Sequence, residues 1–322
     1  MSAGSPSRTP AFTRFAWTVL GYNLLVVAWG AFVRATGSGA GCGKHWPMCN
    51  GEVLPRSPRL ETVIEFTHRT TSGIALLAVV ALVVWAFRAF PRGHAARRAA
   101  FASIVLMLLE AAVGAGLVLF GWVAKDPSAA RGWVMAVHLV NTFLLLGALA
   151  LTADWSAHPG GFAAQGRGRA AVAINAAFLG VLLAGVTGAI AALGDTLFPS
   201  QTLAEGIRQE LSGGHVLLRL RVLHPFAAIL AGALLLAAAR SALVARPEAR
   251  VRRAAIAIAG LVAVEIVAGV SNVLLLAPVW LQLAHLLLAD LVWLGLVLLA
   301  SATLAPGGAT ARAAAPLPAS AA

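Results

Sequence analysis

Four histidines occupy matching positions, one to two helical turns inside the starts of four long apolar segments: His68, His138, His224 and His285. An ionisable side chain at that depth in a membrane-length segment costs free energy unless it has a partner. Histidine is a standard axial ligand of haem iron. Two pairs of imidazoles therefore predict two bis-histidine haem sites. For any single histidine, a hydrogen bond within the helix bundle is the alternative.

The segments that carry these histidines have the length and composition of membrane spans. Of the 322 residues, 60% are hydrophobic and 11% are charged, whereas a soluble domain is about half apolar and a quarter charged. Because about twenty apolar residues cross a bilayer as one helix, the sequence predicts an all-α integral membrane protein with eight transmembrane helices. The predicted spans are 14–35, 65–87, 99–122, 132–153, 169–192, 220–239, 253–275 and 280–304. No cleavable signal peptide is expected, since the first stretch is long and lacks a small-residue cleavage site.

The net charge of +12 is distributed as an orientation signal rather than as a nucleic-acid-binding surface. Arginines dominate the loops at one end of the spans, and the longer opposite loops mix basic with acidic residues. The positive-inside rule then predicts a plasma-membrane protein with both termini in the cytoplasm. The four histidines accordingly lie toward the external side, and no nucleic acid partner is expected.

The spacing of histidines and glutamates indicates an internal repeat. His68 precedes Glu110 by 42 residues, and His224 precedes Glu265 by 41. The repeat predicts two tandem, parallel four-helix bundles, an architecture that places cofactors between facing helices. It pairs the ligands as His68 with His138 and His224 with His285. The predicted parts are an N-terminal bundle (1–153), a cytoplasmic linker (154–168), a C-terminal bundle (169–304) and a disordered cytoplasmic tail (305–322).

Glu65 distinguishes the two predicted sites. It precedes His68 by three residues, so the two share one helix face, whereas the residue three before His224 is Arg221. A carboxylate one turn from a haem ligand could accept a proton or stabilise positive charge beside the ring. The alternative is a glutamate near a helix start, which the helix macrodipole favours. The asymmetry suggests that only one of the two haems is chemically modified.

Three further acids lie deep in the predicted spans: Glu110, Glu265 and Asp290. Glu110 and Glu265 occupy equivalent positions of the two halves, which favours a structural role in the duplicated scaffold. Proton conduction is the alternative.

The only cysteines, Cys42 and Cys49, lie in the first predicted external loop. Their short separation on the oxidising side of the membrane predicts a disulfide. A zinc site is disfavoured because only His45 lies nearby and a second Cys-x-x-Cys motif is missing. The disulfide could staple the loop, take part in redox chemistry, or do both.

Five arginines flank the predicted external helix ends: Arg34, Arg69, Arg131, Arg219 and Arg221. Arginine binds carboxylates well through paired hydrogen bonds, so these residues are candidate contacts of haem propionates. Arg219 and Arg221, just ahead of His224, are the strongest candidates. Snorkelling to lipid headgroups is the alternative for each arginine.

The chain resembles the haem A synthase family over about residues 14–304. The resemblance rests on the order and spacing of five segments: WGAFVRATGSGAGCGKHWPMCNG (29–51), EFTHR (65–69), HLVNTFLLL (138–146), RVLHP (221–225) and QLAHLLLADLVW (282–293). Some family members carry a second cysteine pair in the external loop of the C-terminal half. The corresponding loop here (about 193–219) has none, so a mechanism that requires both pairs is excluded.

The resemblance implies that haem O is oxidised to haem A by successive hydroxylations of its C8 methyl group to a formyl group. The implied site residues are His68 and His138 for the substrate haem, His224 and His285 for a haem b, Glu65 for catalysis, and Cys42 and Cys49 for the external cysteine pair. Glu65 is expected to stabilise the electron-deficient methyl carbon or to accept the proton released on hydroxylation. Haem b is expected to exchange electrons with the substrate site. A haem O synthase is the implied partner, and the electron partner is not identified.

Two other functions share some of these features. A membrane electron carrier of the cytochrome b type would also use bis-histidine helices, but it has no need of the asymmetry at Glu65. A transporter is disfavoured because the repeats are parallel and no pair of Gly/Pro-broken helices is evident at mid-membrane.

Overall fold

The computed structural model of the protein describes residues 9–56, 58–158, 160–162, 168–211 and 215–306. Within these residues the chain is helical and contains no β-strand. The helices are α1 (Thr9–Ala35), α2 (Leu60–Ala89), α3 (Ala95–Leu119), α4 (Ala129–Ala157), α5 (Arg169–Leu197), α6 (Leu203–Leu211), α7 (Val216–Arg221), α8 (Leu223–Ala245), α9 (Ala249–Leu274) and α10 (Val279–Thr303). Residues 307–322 of the predicted tail (305–322) lie outside the described residues. So do residues 159 and 163–167 of the predicted linker (154–168).

Eight helical segments in the described part of the chain are long and apolar enough to cross a membrane. Helices α7 and α8 together form one of them, Val216–Ala245. The predicted all-α membrane fold with eight spans is therefore confirmed. Seven of these eight spans are longer than hydropathy predicted, and α2 begins at Leu60 rather than at residue 65. Polar residues such as Glu61 and Thr62 extend the helix beyond its apolar stretch, which a hydropathy pattern does not detect.

The eight spans pack in two rings of four. In the first half, α1 contacts α2 and α4, and α3 contacts α2 and α4. In the second half, α5 and α9 each contact α8 and α10 in the same way. The halves meet through α1, α4, α5 and α10, where Phe143 of α4 stacks on Trp293 of α10 with ring centres 5.1 Å apart. These contacts are consistent with the predicted tandem bundles.

The sixth span is divided into α7 and α8, whereas the sequence pattern predicted one continuous helix. Pro225 explains the division, because a proline ring clashes with the carbonyl four residues earlier, here that of Arg221. In the first half the residue after His68 is Arg69, and α2 is continuous. His68 therefore lies inside a helix, and His224 lies in the first turn of one.

The boundary between α4 and the predicted linker also differs from the prediction. Helix α4 continues to Ala157, although the polar sequence predicted a linker from residue 154. Asp154 is buried, where it binds Arg250 of α9 and accepts a hydrogen bond of 2.6 Å from Ser301 Oγ of α10. Trp155 Nε1 donates to the same hydroxyl at 2.9 Å. These polar side chains therefore satisfy one another between the two halves.

Candidate functional site

The four candidate ligand histidines lie near one end of the bundles. Their spans begin at Leu60, Ala129, Val216 and Val279. Each histidine is therefore about two helical turns, or roughly 9–14 Å, from the start of its span. We call this end the cysteine end, because the loop with Cys42 and Cys49 connects α1 to α2 there. The matching placement follows from the alternating direction of the helices.

The histidine pair of the C-terminal half is brought together across the bundle. The ring centres of His224 on α8 and His285 on α10 are 6.2 Å apart, and the ring planes are inclined by 72°. An imidazole nitrogen binds a transition metal at about 2 Å, so two axial imidazoles place their ring centres about 6 Å apart. The spacing of this pair fits one metal ion held between the two rings.

The Nδ1 atoms of this pair face polar groups of neighbouring helices. His285 Nδ1 lies 3.1 Å from Glu265 Oε2, close enough for a charge contact, although the angle falls outside hydrogen-bond geometry. His224 Nδ1 lies 3.2 Å from the carbonyl oxygen of Ala184 and 3.4 Å from Thr187 Oγ1. Metal-binding histidines usually direct their second ring nitrogen to a carboxylate or a backbone carbonyl. The arrangement therefore leaves Nε2 of both rings for a metal.

The histidines of the N-terminal half differ from each other in this respect. His138 Nδ1 lies 3.2 Å from Glu110 Oε1, which repeats the contact between His285 and Glu265. The Nδ1 atoms of His68, His138 and His285 are all buried without a hydrogen-bond partner among the described residues, but those of His138 and His285 lie beside a carboxylate. In the described part of the chain, His68 Nδ1 has neither a carboxylate contact nor a hydrogen bond.

Glu65 is buried and binds groups on both sides of its carboxylate. Its Oε2 accepts a hydrogen bond of 2.8 Å from the backbone N–H of Cys42. Its Oε1 accepts one of 3.1 Å from Arg69 Nε and forms an ion pair with the same guanidinium. Because α2 begins at Leu60, Glu65 lies in the second turn, and the macrodipole acts mainly within the first turn. The long-range contact with the cysteine loop is the stronger structural reason for a carboxylate here.

The cysteine loop is attached to the start of α2. Cys42 and Cys49 form a buried disulfide, as predicted. Arg69 Nη1 donates to the carbonyl oxygens of His45 at 2.6 Å and Met48 at 2.7 Å. Gly41 lies so close to α2 that a Cβ atom there would overlap the backbone of the helix. Glu65 and Arg69 therefore connect the disulfide loop to the helix that carries His68.

Arg34, predicted as a propionate contact, binds protein oxygens between the two halves. Its Nη1 donates to the carbonyl oxygen of Ala192 and to Thr196 Oγ1, both at 2.7 Å. Its Nη2 donates to Gln282 Oε1 at 2.8 Å. One side chain of α1 is thereby bonded to both α5 and α10 at the cysteine end.

The other arginines are also at this end. Arg221 donates to Asp195 and to Glu210 of α6, each at 2.7 Å, and Arg219 is exposed on α7. Arg131 is buried and donates to two backbone carbonyls of the preceding loop, and its Nε has no hydrogen-bond partner among the described residues. The sequence pattern did not predict the α6 helix, which is short and amphipathic.

Sequence reasoning also missed polar residues that surround the acids. Asn141 and Thr142, one turn after His138, both donate to the Glu110 carboxylate. Their spacing of three and four residues from a candidate ligand was the available signal. Asp290 of α10 is fully buried, and neither of its carboxylate oxygens has a hydrogen-bond partner in the described chain.

The fold and the site define a class of protein: a multi-pass helical membrane protein whose two halves each carry histidines at the same end. The family model COX15-CtaA, described as cytochrome oxidase assembly protein, matches residues 13–297. The chain belongs to this family, which confirms the resemblance seen in its sequence.

Relatives with two different names are similar to the chain. A Thermus thermophilus protein named "Protoheme IX farnesyltransferase" is 50% identical over 304 residues, which cover 93% of this chain and 50% of that protein. An Alkalihalophilus pseudofirmus protein named "Heme A synthase" is 42% identical over 122 residues, 38% of this chain and 41% of that protein. An Exiguobacterium sibiricum protein of the same name is 38% identical over 115 residues, 36% of each chain. The chain spans about half, or less, of the length of these relatives.

Proposed function

We propose that the chain is a haem A synthase that oxidises the C8 methyl group of haem O to a formyl group. One observation carries the proposal: the histidines and glutamates are repeated in both halves, and the Glu65–disulfide loop assembly lies beside the first set. A duplicated pair of haem sites with unequal surroundings suits one substrate haem and one resident haem. The names of several relatives support haem A synthesis.

We assign the substrate haem to His68 and His138. Glu65 lies one helical turn from His68, and Arg221 takes its place before His224. A polar group beside Nδ1 raises the basicity of a histidine ligand and fixes its ring; among the described residues, His138 and His285 have a carboxylate there, whereas His68 has neither a carboxylate nor a hydrogen-bond partner. A less firmly fixed ligand suits a haem that must leave as product. His224 and His285, each with a polar group beside Nδ1, suit a resident haem b.

The protein contributes orientation and charge to the reaction. When bound, the haem groups supply the oxidation and electron-transfer chemistry. Nε2 of His68 and His138 would hold the substrate, and Glu110 would keep the His138 ring in one orientation. Glu65 is held by the Cys42 N–H and by Arg69, so its carboxylate occupies a defined position one turn from His68. From there it would stabilise positive charge at the methyl carbon or accept the proton that hydroxylation releases.

Expression of the chain together with a haem O synthase tests the function. Chromatography of acid-extracted haems should show haem A, and a host with haem O synthase alone should accumulate haem O. Haem b and unmodified haem O without haem A would instead indicate a bis-histidine electron carrier.

We further propose that a protein with protohaem farnesyltransferase activity delivers the substrate. The Thermus thermophilus relative with that name is about twice as long as the matched region, so its other half is a candidate for such a partner. Farnesylation of protohaem gives a prenylated haem, the substrate class proposed above. Copurification of the chain with a co-expressed haem O synthase, compared with an unrelated membrane protein, tests this partnership.

The proposed orientation places both termini in the cytoplasm and the cysteine end outside the plasma membrane. The disulfide supports this orientation, since disulfides persist in oxidising compartments. Reporter fusions after α2 and after α3 should report opposite sides of the membrane, with the α2–α3 loop in the cytoplasm. A cytoplasmic α3–α4 loop would contradict the proposed orientation.

A further inference from the structure

Each candidate ligand histidine lies beside a glycine of a neighbouring helix. A Cβ atom built on Gly30 of α1 would be 2.9 Å from His68 Cε1, and one on Gly188 of α5 would be 2.9 Å from His224 Cε1. A Cβ atom built on Gly269 of α9 would be 3.2 Å from His285 Cε1. One built on Gly114 of α3 would be the most distant of the four, at 4.0 Å from His138 Nε2.

The glycines repeat with the same symmetry as the histidines. Gly30 of α1 and Gly188 of α5 lie on the first membrane span of each half. Each faces the histidine of the second span of its half, His68 and His224 respectively. Gly114 and Gly269 lie on the third helix, four residues after Glu110 and Glu265 respectively. Residues four apart share a helix face, so Glu265 lies beside Nδ1 of the His285 imidazole and Gly269 faces Cε1 of the same ring.

Proximity to an imidazole is not general for glycines in these helices, although Gly180 and Gly185 of α5 lie equally close to the apolar side chains of Leu234 and Phe143. An added Cβ at Gly21 of α1, Gly73 of α2 or Gly260 of α9 would meet no heavy atom within 4 Å. Glycine is also a weaker helix former than alanine, so its presence inside α1, α5 and α9 disfavours those helices. A contact that only glycine allows is the physical reason to retain it beside the rings.

We propose that Gly30, Gly188 and Gly269 are positioning residues, which let the ligand histidines lie against helix backbone with their ring planes set for haem iron. Carbon atoms pack best at about 3.5–4.0 Å. A methyl group at Gly30 or Gly188 must therefore rotate or displace the imidazole. The inference rests on the proposed haem sites and adds residues that determine ligand orientation in each of them.

The experiment uses the full chain, expressed with haem O synthase and purified. Gly30→Ala, Gly188→Ala, Gly269→Ala and Gly114→Ala are compared with the controls Gly21→Ala and Gly260→Ala. The amount of each haem per chain is measured by chromatography, and the low-spin ferric signals are recorded by electron paramagnetic resonance, which responds to the orientation of axial imidazoles.

Each variant should affect only the haem site that its glycine faces. The effect should be larger where the added Cβ would lie closer to the imidazole. Gly188→Ala should weaken haem b retention by about 10-fold or more, or shift its resonance signal, as changes around metal ligands typically do. Gly30→Ala should do the same to the substrate haem. Gly269→Ala should have a smaller effect on haem b, and Gly114→Ala and both controls should resemble the parent protein.

Two results would overturn the inference. Haem contents and signals in Gly30→Ala and Gly188→Ala that equal those of the controls would show that the contacts do not position the rings. Equal loss of both haems in each variant would indicate a general helix-packing role for small residues. The haem of the unchanged site reports folding in every variant, and Gly269→Ala provides a milder test should Gly188→Ala fail to fold.

Failure of the proposed function would look different. A parent protein that binds no haem, or His224→Ala and His68→Ala variants that keep both haems, would contradict the proposed haem sites themselves. A parent protein with two haems and unaffected glycine variants would contradict only the inference about the glycines.

Discussion

Glu65 of α2 accepts a hydrogen bond of 2.8 Å from the backbone N–H of Cys42, and this bond joins the disulfide loop to the helix of a candidate haem ligand. Arg69 strengthens the connection, since it binds Glu65 and two carbonyl oxygens of the same loop. Among the residues that the structure describes, no equivalent assembly is formed before His224, where Arg221 instead binds Asp195 and Glu210. The difference distinguishes the two otherwise repeated sites.

Glu65→Gln is expected to retain both haems but to abolish haem A formation or to stop at a partly oxidised haem. The change removes the negative charge and the proton-accepting group while it keeps the size of the side chain. Chromatography of extracted haems measures the products. Glu61→Gln is the matched control, because Glu61 is exposed on the same helix. Normal haem A in Glu65→Gln would refute a catalytic role for this residue.

Glu110→Gln and Glu265→Gln should each change only one site. The carboxylate beside Nδ1 increases electron donation by the histidine to iron, so its loss should raise the reduction potential of the haem in that half. Affinity for that haem should fall by about 10–100-fold. Redox titration of the purified protein resolves the two haems. Equal shifts of both potentials in either variant would argue against separate sites in the two halves.

Replacement of both Cys42 and Cys49 by serine should lower thermal stability and haem A formation together. A disulfide stabilises a fold by about 2–4 kcal/mol, with less for short loops, and its loss here also loosens the N–H donor to Glu65. Haem b retention at His224 and His285 should stay unchanged. Thermal unfolding and haem analysis provide the measurements, and treatment of the parent protein with a thiol reductant should reproduce the result. Full activity of the double variant would leave the disulfide without a role in the site.

Arg34→Gln should destabilise the contact between the halves. Hydrogen bonds from a charged donor contribute about 1.5–3 kcal/mol each, and Arg34 makes three across α1, α5 and α10. The thermal unfolding temperature should fall, whereas Arg56→Gln, at an exposed position, should not change it. Unchanged stability with loss of one haem would instead support the predicted contact between Arg34 and a propionate.

The amino-acid sequence by itself determined the properties that depend on local pattern. Apolar stretches of membrane length predicted eight spans, and the helical rise placed His68, His138, His224 and His285 at one depth. The repeated spacing of histidine and glutamate predicted the duplication. The cysteine separation predicted the disulfide. Each of these follows from residues close together in the chain, or from their periodicity.

Only the tertiary structure decided which groups meet across distant parts of the chain. Hydropathy does not report how each helix is rotated about its axis, and that rotation decides that Gly30 faces His68 and that Arg34 binds α5 and α10. The polar segment at Asp154 predicted a linker because its partners, Arg250 and Ser301, are about a hundred residues or more away in sequence. Burial satisfies such groups through long-range contacts, and these contacts exist only after the helices have packed.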